Sequence, residues 1–263
     1  MSEAIKTVGI AGSGTMGAGI AIVAARAGFK TIVYDTRPDA LARARKQTAG
    51  FFAKSIERKK LTQAQVDKIM GDLTGTTRIG DMAGCDIVIE AVFENLKIKH
   101  DLLGELNQVC PQHTLFASNT STLSITEIAA GSGRDERFVG MHFCLPAQLM
   151  KLVEMSPGIR TSDESFRQAW DFCKALGQTP VKTRDNPGFI LNISWCRSTT
   201  MRFAWSRQVW RSPRISIARS RPGLVIRWGR SNCSTWSDWI RNCWWRRLSM
   251  LRPTIHARRS RRW

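Results

Sequence analysis

Apolar residues run without interruption from Val8 to Ala11, stop at a cluster of glycines, and resume as Ile20, Ala21, Val23, Ala24 and Ala25. The first run is short and continuous, the pattern of a parallel strand buried on both faces. The second predicts a helix that ends at Gly28, a natural C-cap. The alternation then repeats. Thr31 to Tyr34 predicts a second strand, Ala40 to Lys60 and Leu61 to Met70 two helical stretches, and residues 86–92 a nearly all-apolar central strand. Leu96 to Val109 predicts a helix and Thr114 to Ser118 another strand, which ends in the polar run Ser118-Asn-Thr-Ser-Thr122. Arg137 to His142 and Lys151 to Met155 predict two more strands, Glu164 to Leu176 a helix closed by Gly177, and Thr179 to Thr183 a last strand. Residues 185–192 (DNPGFILN) then predict a new helix, with Asp185 or Asn186 near its cap and Pro187 in its first turn. Strands alternating with helices predict an α/β fold with a doubly wound sheet.

The glycines between the first strand and the first helix sit at G-x-G-x-x-G spacing: Gly12, Gly14 and Gly17. Gly12 permits a tight turn, Gly14 lets the backbone approach a pyrophosphate, and Gly17 lets the helix lie close to its strand. The helix N-terminus then faces the phosphate charge. A flexible turn is the alternative reading of such glycines, and the strand–turn–helix context weighs against it. Asp35 closes the second strand about 20 residues further on, where NAD-type folds place the acid that binds the ribose hydroxyls. The expected cofactor is therefore NAD on a Rossmann-type sheet. Arg37 leaves an NADP option open, against which the Asp35 carboxylate would repel a 2′-phosphate.

Charge changes this picture only for part of the chain. The net charge of +19 over 263 residues resembles a nucleic-acid signature until it is divided. Residues 1–192 hold 23 Lys+Arg and 20 Asp+Glu, whereas residues 193–263 hold 17 Arg, no Lys and the single acid Asp238. Nine of the ten tryptophans also follow residue 192. Within the first part, Lys54, Arg58, Lys59 and Lys60 form a basic cluster. It reads either as a solvated helix face or as a site for an anionic handle such as coenzyme A phosphates. The seven cysteines are odd in number and form no C-x-x-C pair, so they are expected to be reduced packing residues in a cytoplasmic protein, with no metal site. No leader precedes the glycine motif, and no apolar run approaches the ~20 residues that span a bilayer, so neither a signal peptide nor a membrane partner is expected.

Five segments together resemble the 3-hydroxyacyl-CoA dehydrogenase family, including its 3-hydroxybutyryl-CoA members. They are GIAGSGTMGAGIA, IEAVFENLKIK, FASNTSTLSITEIA, the block GMHF with its following proline and MKLVE, and DNPGFILN, within residues 5–192. The resemblance implies a role in fatty-acid β-oxidation chemistry, an acyl-CoA substrate, NAD as cofactor and a homodimer. By the same resemblance His142 is the general base and Glu154 orients and polarises it. Ser121 binds the substrate hydroxyl, Asn192 completes the site, and Glu94, Lys99 and Asn119 contact the cofactor. These types suit the chemistry. Imidazole titrates near neutrality, so it can take a hydroxyl proton and return it. Ser121 and Asn192 can donate to an oxygen as charge develops on it. One position departs: the family reads H-F-x-N-P, and this chain has Leu145 for that Asn, which puts substrate orientation or chain-length preference in doubt.

The resemblance stops after Asn192, where the family continues with an all-helical domain that closes over the acyl-CoA and forms the dimer. Residues 193–263 carry no sustained helical or strand period. Permitted codons for Arg219 to Trp236, taken one base out of phase, can spell VKAGAGYPMGPIELLDL, the next strong family motif. Trp195 to Phe203 can likewise yield LVPFYNDAL. Tryptophan has the single codon TGG, which appears wherever CTG is followed by G, so a leucine-rich helical segment becomes rich in Trp and Arg when shifted. Residues 1–186 are thus expected to be the NAD-binding domain, residues 187–192 the start of the helical domain, and residues 193–263 an out-of-frame tail without a stable fold. Two alternatives stay open: an inactive NAD-binding relative, and a nucleic-acid-binding protein acting through its Arg- and Trp-rich tail.

Overall fold

The structure, a computed structural model, describes residues 5–192. The out-of-frame reading of residues 193–263, and with it nucleic-acid binding through that tail and the family's dimer domain, falls outside the described residues.

One sheet of eight strands forms the centre, in the order β3-β2-β1-β4-β5-β6-β7-β8. β1 (Thr7–Ala11), β2 (Lys30–Tyr34), β3 (Leu73–Thr76), β4 (Ile87–Glu90), β5 (Leu115–Ser118) and β6 (Phe138–Phe143) are parallel. β7 (Leu152–Pro157) runs antiparallel to β6, and β8 (Thr179–Lys182) follows the direction of β7. The strand order reverses between β1 and β4, the point where open α/β sheets bind their ligands. The connections carry helices α1 (Thr15–Arg26), α2 (Pro38–Glu57), α3 (Gln63–Gly71), α4 (Leu96–Val109), α5 (Ile125–Ala130) and α6 (Asp163–Ala175).

Strand alternation sorts the core into two sides. Ile87 and Ile89 of β4, Leu115 and Ala117 of β5, and Val139, Met141 and Phe143 of β6 face the core that holds α1 and α6. Val88, Phe116 and Phe138, one residue out of step, join the opposite core under α4 and α5. A third, smaller cluster of Ile22, Phe52 and Val66 seats the α2–α3 hairpin on α1. Both faces are covered, which is why these strands read as continuous apolar runs.

Two short elements are absent from the sequence expectation, β3 and α5. The expectation for residues 187–192 is corrected. Residues 187–190 form a turn and helical backbone starts only at Leu191. Gly188 (φ 87°) and Phe189 (φ 44°) occupy the left-handed region, which no first helical turn allows. Asp185 does not cap this helix. Its carboxylate accepts from the amides of Ile125 and Thr126 and from the hydroxyls of Ser124 and Thr126, so it caps α5, about sixty residues earlier.

Candidate active site

The glycine turn is built as its spacing implies. Gly12 takes φ 107° after β1, and a Cβ there would lie 2.7 Å from the Ala91 carbonyl oxygen. A Cβ on Gly17 would lie 1.8 Å from the Gly12 carbonyl oxygen, an impossible contact that ties the helix to its strand. Gly14, the N-cap of α1, differs: an added Cβ would meet nothing within 4 Å. The backbone there faces open space in front of a helix N-terminus, the cradle a pyrophosphate would fill. Asp35 stands beside it. Its Oδ2 accepts from the Ser13 amide (2.9 Å) and hydroxyl (2.6 Å), and its Oδ1 accepts from the Arg37 amide at 3.0 Å. Burial pushes this carboxyl up, but the Ser13 and Arg37 donors outweigh it and hold it below the ordinary carboxylate value. Three of the roughly four acceptor positions of a carboxylate are used, leaving room for a ribose hydroxyl. These residues fit a dinucleotide with a free 2′-hydroxyl.

At the carboxyl ends of β4 and β5 the polar turn 118–122 rests on Glu94. One carboxylate oxygen of Glu94 accepts from the Thr120 hydroxyl (2.6 Å), the Ser121 amide (2.8 Å), and the Thr122 amide (3.0 Å) and hydroxyl (2.9 Å). Asn119 turns its side-chain oxygen to the Phe143 amide at 2.9 Å and so bridges β5 to the end of β6. Lys99, expected as a direct cofactor contact, is only 1% exposed and pairs with Glu90 and Glu94.

The antiparallel pairing of β6 with β7 creates the His–Glu pair. His142 lies opposite Glu154 in the register, on the sheet face of Phe138 and Gly140 rather than of the apolar Met141 and Phe143. Cross-strand partners of this kind sit within side-chain reach. The His142 Nδ1 meets Glu154 Oε2 at 2.8 Å, with the Glu154 side chain 1% exposed and that of His142 14%. A carboxylate only accepts, so Nδ1 carries the proton and Nε2 is left to exchange one. The other oxygen, Oε1, accepts from the Ile190 and Leu191 amides, both at 2.9 Å. Glu154 therefore also anchors the segment that follows the left-handed turn. Phe189 in that turn is buried and packs on the His142 ring, centroids 5.7 Å apart. The Asn192 side-chain amide donates to the Ser121 carbonyl at 3.1 Å. His142, Glu154, Ser121 and Asn192 are thus joined through one loop closure; of the two residues that make it, the sequence marked Asp185 only as a cap of the wrong helix and offered no signal for Phe189.

Two hollows lie elsewhere. One of about 250 Å³ sits between α1, α2 and the β2–β3 edge and contains none of these residues. Another, of about 270 Å³, is lined by Lys59 and Lys60 with Ile56, Leu61, Thr62 and Gln65 at the α2–α3 corner. Lys54, Lys59 and Lys60 are all exposed, and Lys59 adopts φ 55° at the turn. The candidate site itself is an open sheet edge. Leu145 follows it in a half-buried turn, ahead of a cis bond to Pro146. Cys85 and Cys173 are pushed up to about 12, and Cys110 and Cys144 to about 11, mainly by burial, which suits packing thiols. Among the described residues no helix is long and apolar enough to cross a membrane.

Residues 7–186 match the family model for the 3-hydroxyacyl-CoA dehydrogenase NAD-binding domain. The chain is 42% identical over 184 residues to a probable 3-hydroxybutyryl-CoA dehydrogenase of Deinococcus radiodurans, a match covering 70% of this chain and 66% of that one. It is 42% identical over 195 residues to the mitochondrial hydroxyacyl-coenzyme A dehydrogenase of Rattus norvegicus, covering 72% of this chain and 62% of that one. The matches thus span just under two thirds of these relatives' length. The crystal structure of (S)-3-hydroxybutyryl-CoA dehydrogenase from Ralstonia eutropha superposes with a TM-score of 0.73 at 36% identity, covering 74% of this chain and 69% of that one.

Proposed function

Since the chain belongs to the 3-hydroxyacyl-CoA dehydrogenase family, we propose that it serves the NAD-dependent interconversion of an (S)-3-hydroxyacyl-CoA, of the 3-hydroxybutyryl type, and the 3-oxoacyl-CoA. The observation that carries this reading is the His142–Glu154 pair, with Glu154 buried and His142 half-buried at the carboxyl edge beside a dinucleotide cradle. NAD, when bound, accepts the hydride in the oxidation. The work of the chain is proton handling and orientation. His142 Nε2 takes the hydroxyl proton in oxidation and returns it in reduction, while Glu154 fixes the tautomer and stabilises the imidazolium. Ser121 and Asn192 donate to the substrate oxygen as charge builds on it. Glu94, Asn119 and, indirectly, Lys99 position the cofactor end of the site. Lys54, Lys59 and Lys60 offer exposed cations to the phosphates of coenzyme A at the α2–α3 corner.

Residues 193–263 are, in this reading, the out-of-frame translation of the family's helical domain. The test is sequencing of the coding DNA around codons 190–196, then assay of a frame-restored protein with NADH and acetoacetyl-CoA at 340 nm. Turnover of the CoA thioester, and none of free acetoacetate, is the expected result. An intact frame in the gene, or a frame-restored protein without turnover, would refute the reading.

A further inference from the structure

Beneath the turn 118–122 lie two carboxylates and one ammonium. Glu90 closes β4 and is fully buried. Its Oε1 accepts from Lys99 Nζ at 2.7 Å and from the Val92 amide at 2.8 Å, and its Oε2 accepts from the Ser118 hydroxyl at 2.6 Å. Lys99 comes from the first turns of α4, and its ammonium also reaches Glu94 Oε2 at 3.2 Å. Burial pushes the Glu94 carboxyl up, but Lys99 and the donors of residues 120–122 outweigh it and keep it ionised. The cluster therefore sets two carboxyl groups against one ammonium, a formal surplus of one negative charge. The other lysine of this helix turn, Lys97, is exposed and faces Asp101. The N-terminus of α4 beside Glu94 offsets about half a charge at most.

A single Lys–Glu pair would hold the turn without leaving a charge in the interior, where uncompensated charge is costly. The position of the surplus suggests its use. Asp35 after β2 marks the adenosine-ribose end of a dinucleotide, and the glycine turn after β1 marks its pyrophosphate. A dinucleotide laid across the strand-order reversal then places its other end over β4 and β5. Those strands end in Glu90, a member of the cluster, and Ser118, whose hydroxyl donates to it.

Resting on the assignment of NAD made above, we infer that Glu90, Lys99 and Glu94 form a net-negative base under the nicotinamide end, which favours the oxidised, positively charged ring over the reduced, neutral one. Glu90 and Ser118 thereby become positioning residues of the site. One unit of charge several Å from the ring, screened nearly as in water at this open sheet edge, corresponds to about a three- to tenfold change in affinity.

The test measures Kd of the full chain for NAD⁺, NADH and ADP-ribose by calorimetry. Three proteins are compared: the natural chain, Glu90→Gln, and Glu90→Gln with Lys99→Met. The glutamine keeps the shape and removes one charge. The ratio of Kd for NAD⁺ to Kd for NADH should rise about three- to tenfold, with ADP-ribose binding unchanged. The double variant leaves Glu94 alone, restores the net single negative charge, and should return the ratio to within about twofold of the natural value. A ratio unmoved in Glu90→Gln while ADP-ribose binds normally would overturn the inference, as would a double variant that fails to restore it. A natural chain that binds none of the three ligands would overturn the NAD assignment itself. Should Glu90→Gln fail to fold by circular dichroism, Glu94→Gln removes the same charge from the rim and must give the same rise.

Discussion

At the scale of single residues, the His142–Glu154 contact makes a strict demand on tautomer. Glu154→Gln would present an amide N–H₂ or a carbonyl to Nδ1. In the first orientation the imidazole proton moves to Nε2 and the base is lost. In the frame-restored protein, kcat for acetoacetyl-CoA reduction should fall by about 100-fold or more, while the Kd for NADH changes by less than about threefold. Equal losses in both would mean that Glu154 only holds the fold. Asp35 makes a second demand: its carboxylate, kept ionised by Ser13 and Arg37, repels a 2′-phosphate. The full chain should therefore bind NADH at least about tenfold more tightly than NADPH in a fluorescence titration, a unit-charge effect at short range. Equal affinities would contradict the Asp35 assignment. The same carboxyl predicts a pH effect. Its folded pKa is lowered, so its contribution to stability is present above the unfolded value of about 4 and is lost as pH falls through the folded value. Asp35→Asn should flatten the loss of stability in that acid window in denaturant titrations, and an unchanged profile would argue against it. The glycines and Asp35 were legible because their chemistry is local. The pairing of Lys99 with Glu90, nine residues away on another element, was not legible, because such an ion pair leaves no mark in spacing.

At the scale of elements, apolar runs located most strands and long helices, but they carry no direction. Nothing in Leu152–Pro157 distinguishes a strand antiparallel to β6 from a parallel one, yet that reversal sets Glu154 opposite His142. β3 escaped notice because its four residues, LTGT, are half exposed at the sheet edge and include a glycine. α5 has six residues behind a run of Ser and Thr, and its local cap, Ser124, is reinforced by Asp185 through a long-range contact. That cap supports a prediction of its own. Asp185→Ala strips four donors of their acceptor and should cost about 2 kcal/mol or more, above the ~1 kcal/mol of an ordinary N-cap. It should also lower turnover, since the same segment carries Phe189 and Asn192. A thermal-unfolding scan that places the variant level with the natural protein would remove Asp185 from this role. Gly17→Ala, which drives a Cβ into the Gly12 carbonyl, should abolish NADH binding by displacing α1.

At the scale of the molecule, residues 5–192 hold every candidate residue, and the site forms where the strand order reverses and β7 turns back. The fold was legible from periodicity and the glycine turn. The grouping of His142, Glu154, Ser121 and Asn192 was legible only through family resemblance, because two strand registers and one left-handed turn bring them together. In the proposed reaction His142 Nε2 is the proton-exchanging atom. The most direct measurement is the rate of NADH oxidation with saturating acetoacetyl-CoA, in the frame-restored protein and its His142→Ala variant. The variant's kcat should be lower by about 100-fold or more, with NADH affinity retained. A variant that keeps a near-natural kcat would contradict that role and leave His142 a structural histidine.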